Sequence, residues 1–108
     1  MAESASTVVT DALQEILVQA AEQPVESDEM QIGIRFLNRM MAAWASMGYS
    51  LGFTVITNPS DDLTVPDGAL DPIIANLAVR LASVFDEPIA PSLAKAARDG
   101  IRLLLRLR

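Results

Sequence analysis

Residues 63–83, reading LTVPDGALDPIIANLAVRLAS, carry the pattern that most narrows what this chain can become. Leu63-Thr64-Val65 alternates apolar and polar side chains, as a short strand does. Pro66 pushes Val65 toward extended geometry, and Pro66-Asp67-Gly68 has the composition of a sharp turn. Leu70, Ile73, Ile74, Leu77, Ala78, Leu81 and Ala82 then recur at three- and four-residue spacing, which is one apolar face of a helix. A strand, a turn and a helix packed so tightly predict a small helical domain with one extended excursion. No catalytic motif occurs in the stretch.

Its 108 residues fit one domain with a modest core. Half the residues are hydrophobic but only 5% are aromatic, so the core is built from Ala, Leu, Ile, Val and Met. Cysteine is absent, which removes disulfides and thiolate metal sites. Histidine is absent too, and with it the usual neutral-pH base and the commonest metal ligand. Together these argue against an enzyme and against a cofactor or metal site. No apolar run approaches the ~18 residues of a membrane span. The opening MAESASTVV lacks basic residues ahead of a hydrophobic run, so a secretory signal is not expected and an intracellularly made, soluble protein is.

The net charge of −6 is unevenly spread. Residues 1–94 hold three basic side chains (Arg35, Arg39, Arg80) against thirteen acidic ones. Residues 95–108 hold five basic side chains and the single acid Asp99. An acidic body with a basic last helix predicts that the two ends meet different surfaces.

Four helices are expected. The first covers residues 7–21, capped by Ser6 or Thr7, with Leu13 and Ile16 in its apolar face and Gln23-Pro24 ending it. The second covers 28–47 with Ser27 as N-cap and Gly48 as a left-handed C-terminal residue; Leu37, Met41, Trp44 and Met47 line its core face. The third runs from Gly68 or Asp71 to Phe85, with Pro72 in its first turn and Ile74, Leu77 and Leu81 in the core. The fourth covers 91–107, starting at Pro91, with Gly100 marking a bend or a close helix contact. Between the second and third, residues 49–67 predict a short β-hairpin or extended arm, Phe53–Thr57 pairing with Leu63–Val65 across the turn at 58–62. The fold class is thus mainly α, a four-helix bundle with a short arm.

Two stretches together resemble a known family. Leu37-Asn38-Arg39-Met40-Met41-Ala42-Ala43-Trp44 followed by Gly48 is similar to its "LN-x-M-L-x-x-W" signature. Leu63, Pro66-Asp67-Gly68 and Asn76-Leu77-Ala78 are similar to its "L-x-L-P-x-G … A-L-x-x-N-L-A" signature, and Pro91-Ser92 with Ala96-Ala97-Arg98 to its closing "P-S … A-x-x-A". The family is the head-to-tail adaptor of tailed phages, also called the tail accessory factor or packaged-DNA-stabilising protein. The resemblance spans residues 7–104. It implies a structural virion protein at the head-tail junction, assembled in the host cytoplasm. Such a protein docks as a ring, twelve copies on a twelve-fold portal, and extends the channel for packaged DNA. Its implied partners are the portal protein, neighbouring adaptor copies and a downstream tail or nozzle protein. Longer members have a longer hairpin region and a C-terminal extension; here the hairpin is short and the sequence stops soon after the fourth helix.

Arg98, Arg102 and Arg106 share one face of the last helix. That face either closes its own bundle with a solvated basic side or, as the resemblance implies, docks on the portal or on acidic surface of a neighbouring adaptor through Arg98, Arg102, Leu104, Leu105, Arg106 and Arg108. Phe53, Val55, Ile56 and Leu63 lie on a segment too small to bury them alone, which predicts a subunit or tail interface. The acidic body would repel DNA, so DNA is expected to pass a ring lumen without specific binding. Asp61-Asp62 and Asp67 lack the alternating oxygen ligands of a calcium loop and read as solvated acids. The alternative class is a small acidic helical interaction or regulatory module. An acyl carrier needs Ser after Asp at a helix start, and here the order is Ser27-Asp28; a helix-turn-helix reader needs a basic helix after a short turn, and the one basic helix is terminal.

Overall fold

The computed structural model describes residues 3–16, 25–49 and 51–107. Among the described residues four α-helices follow one another: α1 (Ala5–Glu15), α2 (Ser27–Ser46), α3 (Leu70–Val84) and α4 (Pro91–Leu107), with a 3-10 turn, Asp67–Ala69, leading into α3. The third helix is the hub and packs against each of the other three. Its faces differ in what they meet, because Ile73, Leu77, Ala78, Leu81 and Ala82 leave little of the helix uncovered. The apolar face is broad, as a central helix requires, and only a narrow strip with Asp71, Arg80, Ser83 and Val84 meets solvent. Val8, Val9, Ala12 and Leu13 reach the core from α1; Leu37, Met40, Met41 and Trp44 reach it from α2. The fourth helix leans on α3 and on the 3-10 turn. It contributes Leu93, Ala97 and Leu104, at the four- and seven-residue spacings of a single stripe.

The helix ends explain where each element stops. Ser4 caps α1, its Oγ accepting from the Thr7 N–H at 3.2 Å. The expected caps Ser6 and Thr7 lie inside the helix, because the preceding N–H groups already have partners. Ala5 donates to the Asp61 carbonyl at 2.8 Å and Ser6 to the Pro59 carbonyl at 2.9 Å. Residues 17–24, expected to finish this helix, lie outside the described ones. Glu26 caps α2 in place of Ser27; the Glu29 carboxylate accepts from the Glu26 N–H at 3.1 Å. Gly48 ends α2 with φ 96°, letting the Tyr49 N–H reach the Trp44 carbonyl at 2.8 Å and its own N–H reach Ala45. The end of α3 repeats this geometry without glycine. Asp86 takes φ 54°, and the Glu87 N–H reaches the Ala82 carbonyl at 2.8 Å.

The expected hairpin does not form among the described residues. The only β-bridge there joins Ser4 to Asp62, so the chain beside Leu63 pairs with the residues ahead of α1 and not with Phe53–Thr57. Side chains take up the backbone groups that a ladder would use. Asn38 on α2 accepts from the Ile56 N–H and donates to the Ile56 carbonyl, each at 2.9 Å. The Thr64 hydroxyl accepts from the Thr54 N–H at 2.8 Å and donates to the Gly52 carbonyl at 2.7 Å. The Asp61 carboxylate accepts from the N–H groups of Thr57 and Asn58. The segment is therefore an arm laid along the bundle and tied by Asn, Thr and Asp.

Candidate docking surfaces

Burial sorts the predicted residues. Leu13, Ile16, Leu37, Met41, Trp44, Leu77 and Leu81 are in the core. Ile74 is half-buried, and Met47, expected beside Trp44, is exposed because α2 has ended before it. Three interface expectations need correction. Ile56 and Leu63 are buried in the chain's own core, held there by the Asn38 clamp and by the Leu63 N–H bond to the Glu3 carbonyl at 2.8 Å. Leu104 is fully buried against the bundle, on the stripe with Leu93 and Ala97. None of the three is available to another molecule. Val55 is 67% exposed and Phe53 is half-buried.

The outward face of α4 carries Lys95, Arg98, Arg102 and Arg106, all exposed, with Leu105 at 42% exposure beside them. Arg108 lies outside the described residues. Asp99 sits among these cations. Lys95 Nζ donates to it at 2.7 Å, and Arg102 approaches at 3.8 Å. The Lys95 hydrogen bond, more than the surrounding charge, holds the Asp99 carboxyl below the usual carboxylate range. Such exposed pairs add little stability. Their consequence is spatial: Lys95 is turned along the helix toward Asp99, which also draws Arg102 toward it.

The position of this face is set by the α3–α4 contact. A Cβ placed on Gly100 would stand 2.9 Å from both Cα and Cβ of Pro72, so the two helices touch backbone to backbone there. One turn away, Asn76 Nδ2 donates to the Ala97 carbonyl at 3.0 Å and to the Pro72 carbonyl at 2.8 Å. A glycine and an asparagine thus lock α4 to α3 over its middle. Gly33 does the same for α1 and α2, since a Cβ there would overlap Val9 Cγ1. The roles of Asn38, Asn76 and Gly33 escaped the sequence reading. Their signal was present, as polar or small residues inside apolar helical stretches.

A second surface lies where the arm crosses α2. A groove of about 140 Å³ opens between Asn38, Met41, Ala42 and Ala45 on the helix and Phe53 and Val55 on the arm. A third feature is an acidic cleft between α1 and α3, lined by Asp11, Glu15, Asp71 and Ile74. Partial burial raises the Asp11 carboxyl above its ordinary value. No cluster of three or more carboxylates among the described residues is placed to hold a metal ion. No described helix is long and apolar enough to cross a membrane. No protein-family model and no curated protein matches the chain.

Proposed function

We propose that this protein is a head-to-tail adaptor of a tailed phage, a structural virion component that forms a ring beneath the portal. The observation that carries the reading is the charge division built into the fold. A body with thirteen acidic side chains holds out one helix whose exposed face is basic. That helix is locked in place by Gly100 and Asn76, so the basic face is presented at a fixed angle. The motif residues that carry the family resemblance also have structural work here: Asn38 ties down the arm, and Asn76 joins α3 to α4.

In this reading Arg98, Arg102 and Arg106, with Leu105, meet an acidic and apolar patch on the portal. The ring, of twelve copies on a twelve-fold portal, extends the DNA channel, and its other end receives a tail or nozzle protein. An acidic lumen lets DNA slide, because phosphates find few cations to neutralise them. The chain acts by shape and charge, without a reaction. Purified portal mixed with the protein and imaged by electron microscopy tests this; an added ring of density is expected, and portals that stay bare overturn the reading. Replacing Arg98, Arg102 and Arg106 together by Gln should abolish the added ring while leaving the fold intact.

A further inference from the structure

The groove between α2 and the arm differs from the rest of the body in charge. None of the described acidic residues lines it, in a chain that holds fourteen. Arg35, Asn38, Ala42 and Ala45 fall on one stripe of α2 at three- and four-residue spacing, so a cation stands in line with the groove. Ala42 and Ala45 are exposed and small, which leaves the helix backbone approachable. Val55, on the arm, is the most exposed large apolar side chain described. The volume of about 140 Å³ is near the ~150 Å³ of an engineered cavity that accepts benzene, so it has room for one branched apolar side chain.

The α3–α4 loop of the same chain has the matching features. Ile89 is 41% exposed and is framed by Pro88 and Pro91, which restrict the backbone on both sides. Asp86 and Glu87 stand just before Pro88. The loop start is fixed by the bond from the Glu87 N–H to the Ala82 carbonyl. A pre-ordered loop loses little freedom on binding. Its apolar tip fits the groove, and its acids are opposite in charge to Arg35.

We infer that the α2–arm groove of one copy receives Ile89 of a second copy, with Asp86 and Glu87 of that copy facing Arg35. The contact is head-to-tail: groove and loop are different patches, so each copy keeps one of each free for the next. This deepens the ring-forming reading and rests on it, and it leaves the basic face of α4 for the portal.

The chain contains no cysteine, which makes cross-linking a clean test. Ala42→Cys and Ile89→Cys single variants, mixed and mildly oxidised, should give a disulfide-linked dimer well above that of either variant alone. The control is Ala42→Cys mixed with Ser60→Cys. The reaction is run both with concentrated free protein and with portal present. Arg35→Glu added to the groove copy should lower the yield several-fold, and Glu87→Arg in the loop copy should restore it. A yield at the control level in both settings overturns the inference, as does Ala42→Cys cross-linking to portal in place of its own kind. A ring forming on portal without this cross-link refutes the contact alone. Cross-linking without a ring on portal refutes the adaptor function alone.

Discussion

Asn38 and Ile56 are joined by two hydrogen bonds of 2.9 Å, the side-chain amide of one pairing with both backbone groups of the other. The pair does for the arm what a neighbouring strand would do. It also explains why Ile56 is buried while Val55 beside it faces solvent. Replacing Asn38 by Leu leaves the Ile56 N–H and carbonyl without these partners. The expected loss is about 2–4 kcal/mol, at 1–3 kcal/mol for each stranded group with partial relief from water. Chemical denaturation followed by tryptophan fluorescence measures it; a midpoint equal to wild type would show that the arm is held by something else.

Gly100→Ala pits helix propensity against packing. The substitution gains up to about 1 kcal/mol in an isolated helix. Here the new methyl meets Pro72 Cα and Cβ at 2.9 Å, and backbone cannot rotate away. Overpacking of this kind costs roughly 1–3 kcal/mol, so the net change is destabilising. A thermal melt with a lower Tm is expected, and a higher Tm would mean that α4 shifts freely on α3.

Asp86→Gly runs the other way. Asp86 holds φ 54° at the end of α3, where glycine is unstrained. The variant should be more stable by about 1 kcal/mol, the lower end of the left-handed penalty. Equilibrium urea denaturation reads the gain as a higher midpoint at unchanged slope.

Two aspartates should shift the acid stability of the protein in opposite directions. Hydrogen bonds from Asn58 and Thr57 hold the Asp61 carboxyl below its ordinary value. Its folded pKa is thus depressed, so its stabilisation is present above the unfolded value, near 3.9, and disappears as pH falls through the folded one. Burial raises Asp11, so its charged form disfavours folding above the folded pKa, and that penalty vanishes in acid. Asp11→Asn should therefore raise Tm at pH 7 and lose the advantage toward pH 3. Asp61→Asn should lower Tm at pH 7 and approach wild type in strong acid. Melts across that range check both signs.

The docking face of α4 is best tested by charge, because length and fold are entangled there. Truncation before Gly100 would remove buried Leu104 and uncover the core. The triple Arg98, Arg102 and Arg106 to Gln variant leaves Leu93, Ala97 and Leu104 in place. Exposed substitutions of this sort typically move stability by about 0.5 kcal/mol or less each. Portal binding should fall far more than Tm does.

The helices were legible where their signals are local. Pro91 and an uninterrupted period place α4 at Pro91–Leu107, and Gly48 marks the end of α2 by its own conformation. Leu104 was expected on the docking face with Leu105; it instead shares a buried stripe with Leu93, Ala97 and Gly100, while Leu105 is exposed. An extended arm was one of the two expectations for residues 49–67, but what anchors it was not legible, because its partners are distant in sequence. Phe53–Thr57 has the composition of a strand, yet Asn38, eighteen residues before Ile56, takes the hydrogen bonds. The cap of α1 was missed for the same reason: its first N–H groups are met by carbonyls of Pro59 and Asp61.

Those carbonyls have a consequence for how the chain folds. The opening helix is completed by atoms more than fifty residues downstream, so its first turn stays unfinished until the arm has been made and has come back to it. Contacts that close so large a loop carry a loop-closure cost and slow folding. Helix α1 thus depends on the arm as well as on its own cap: a change that loosens residues 59–61 leaves the Ala5 and Ser6 N–H groups without those partners.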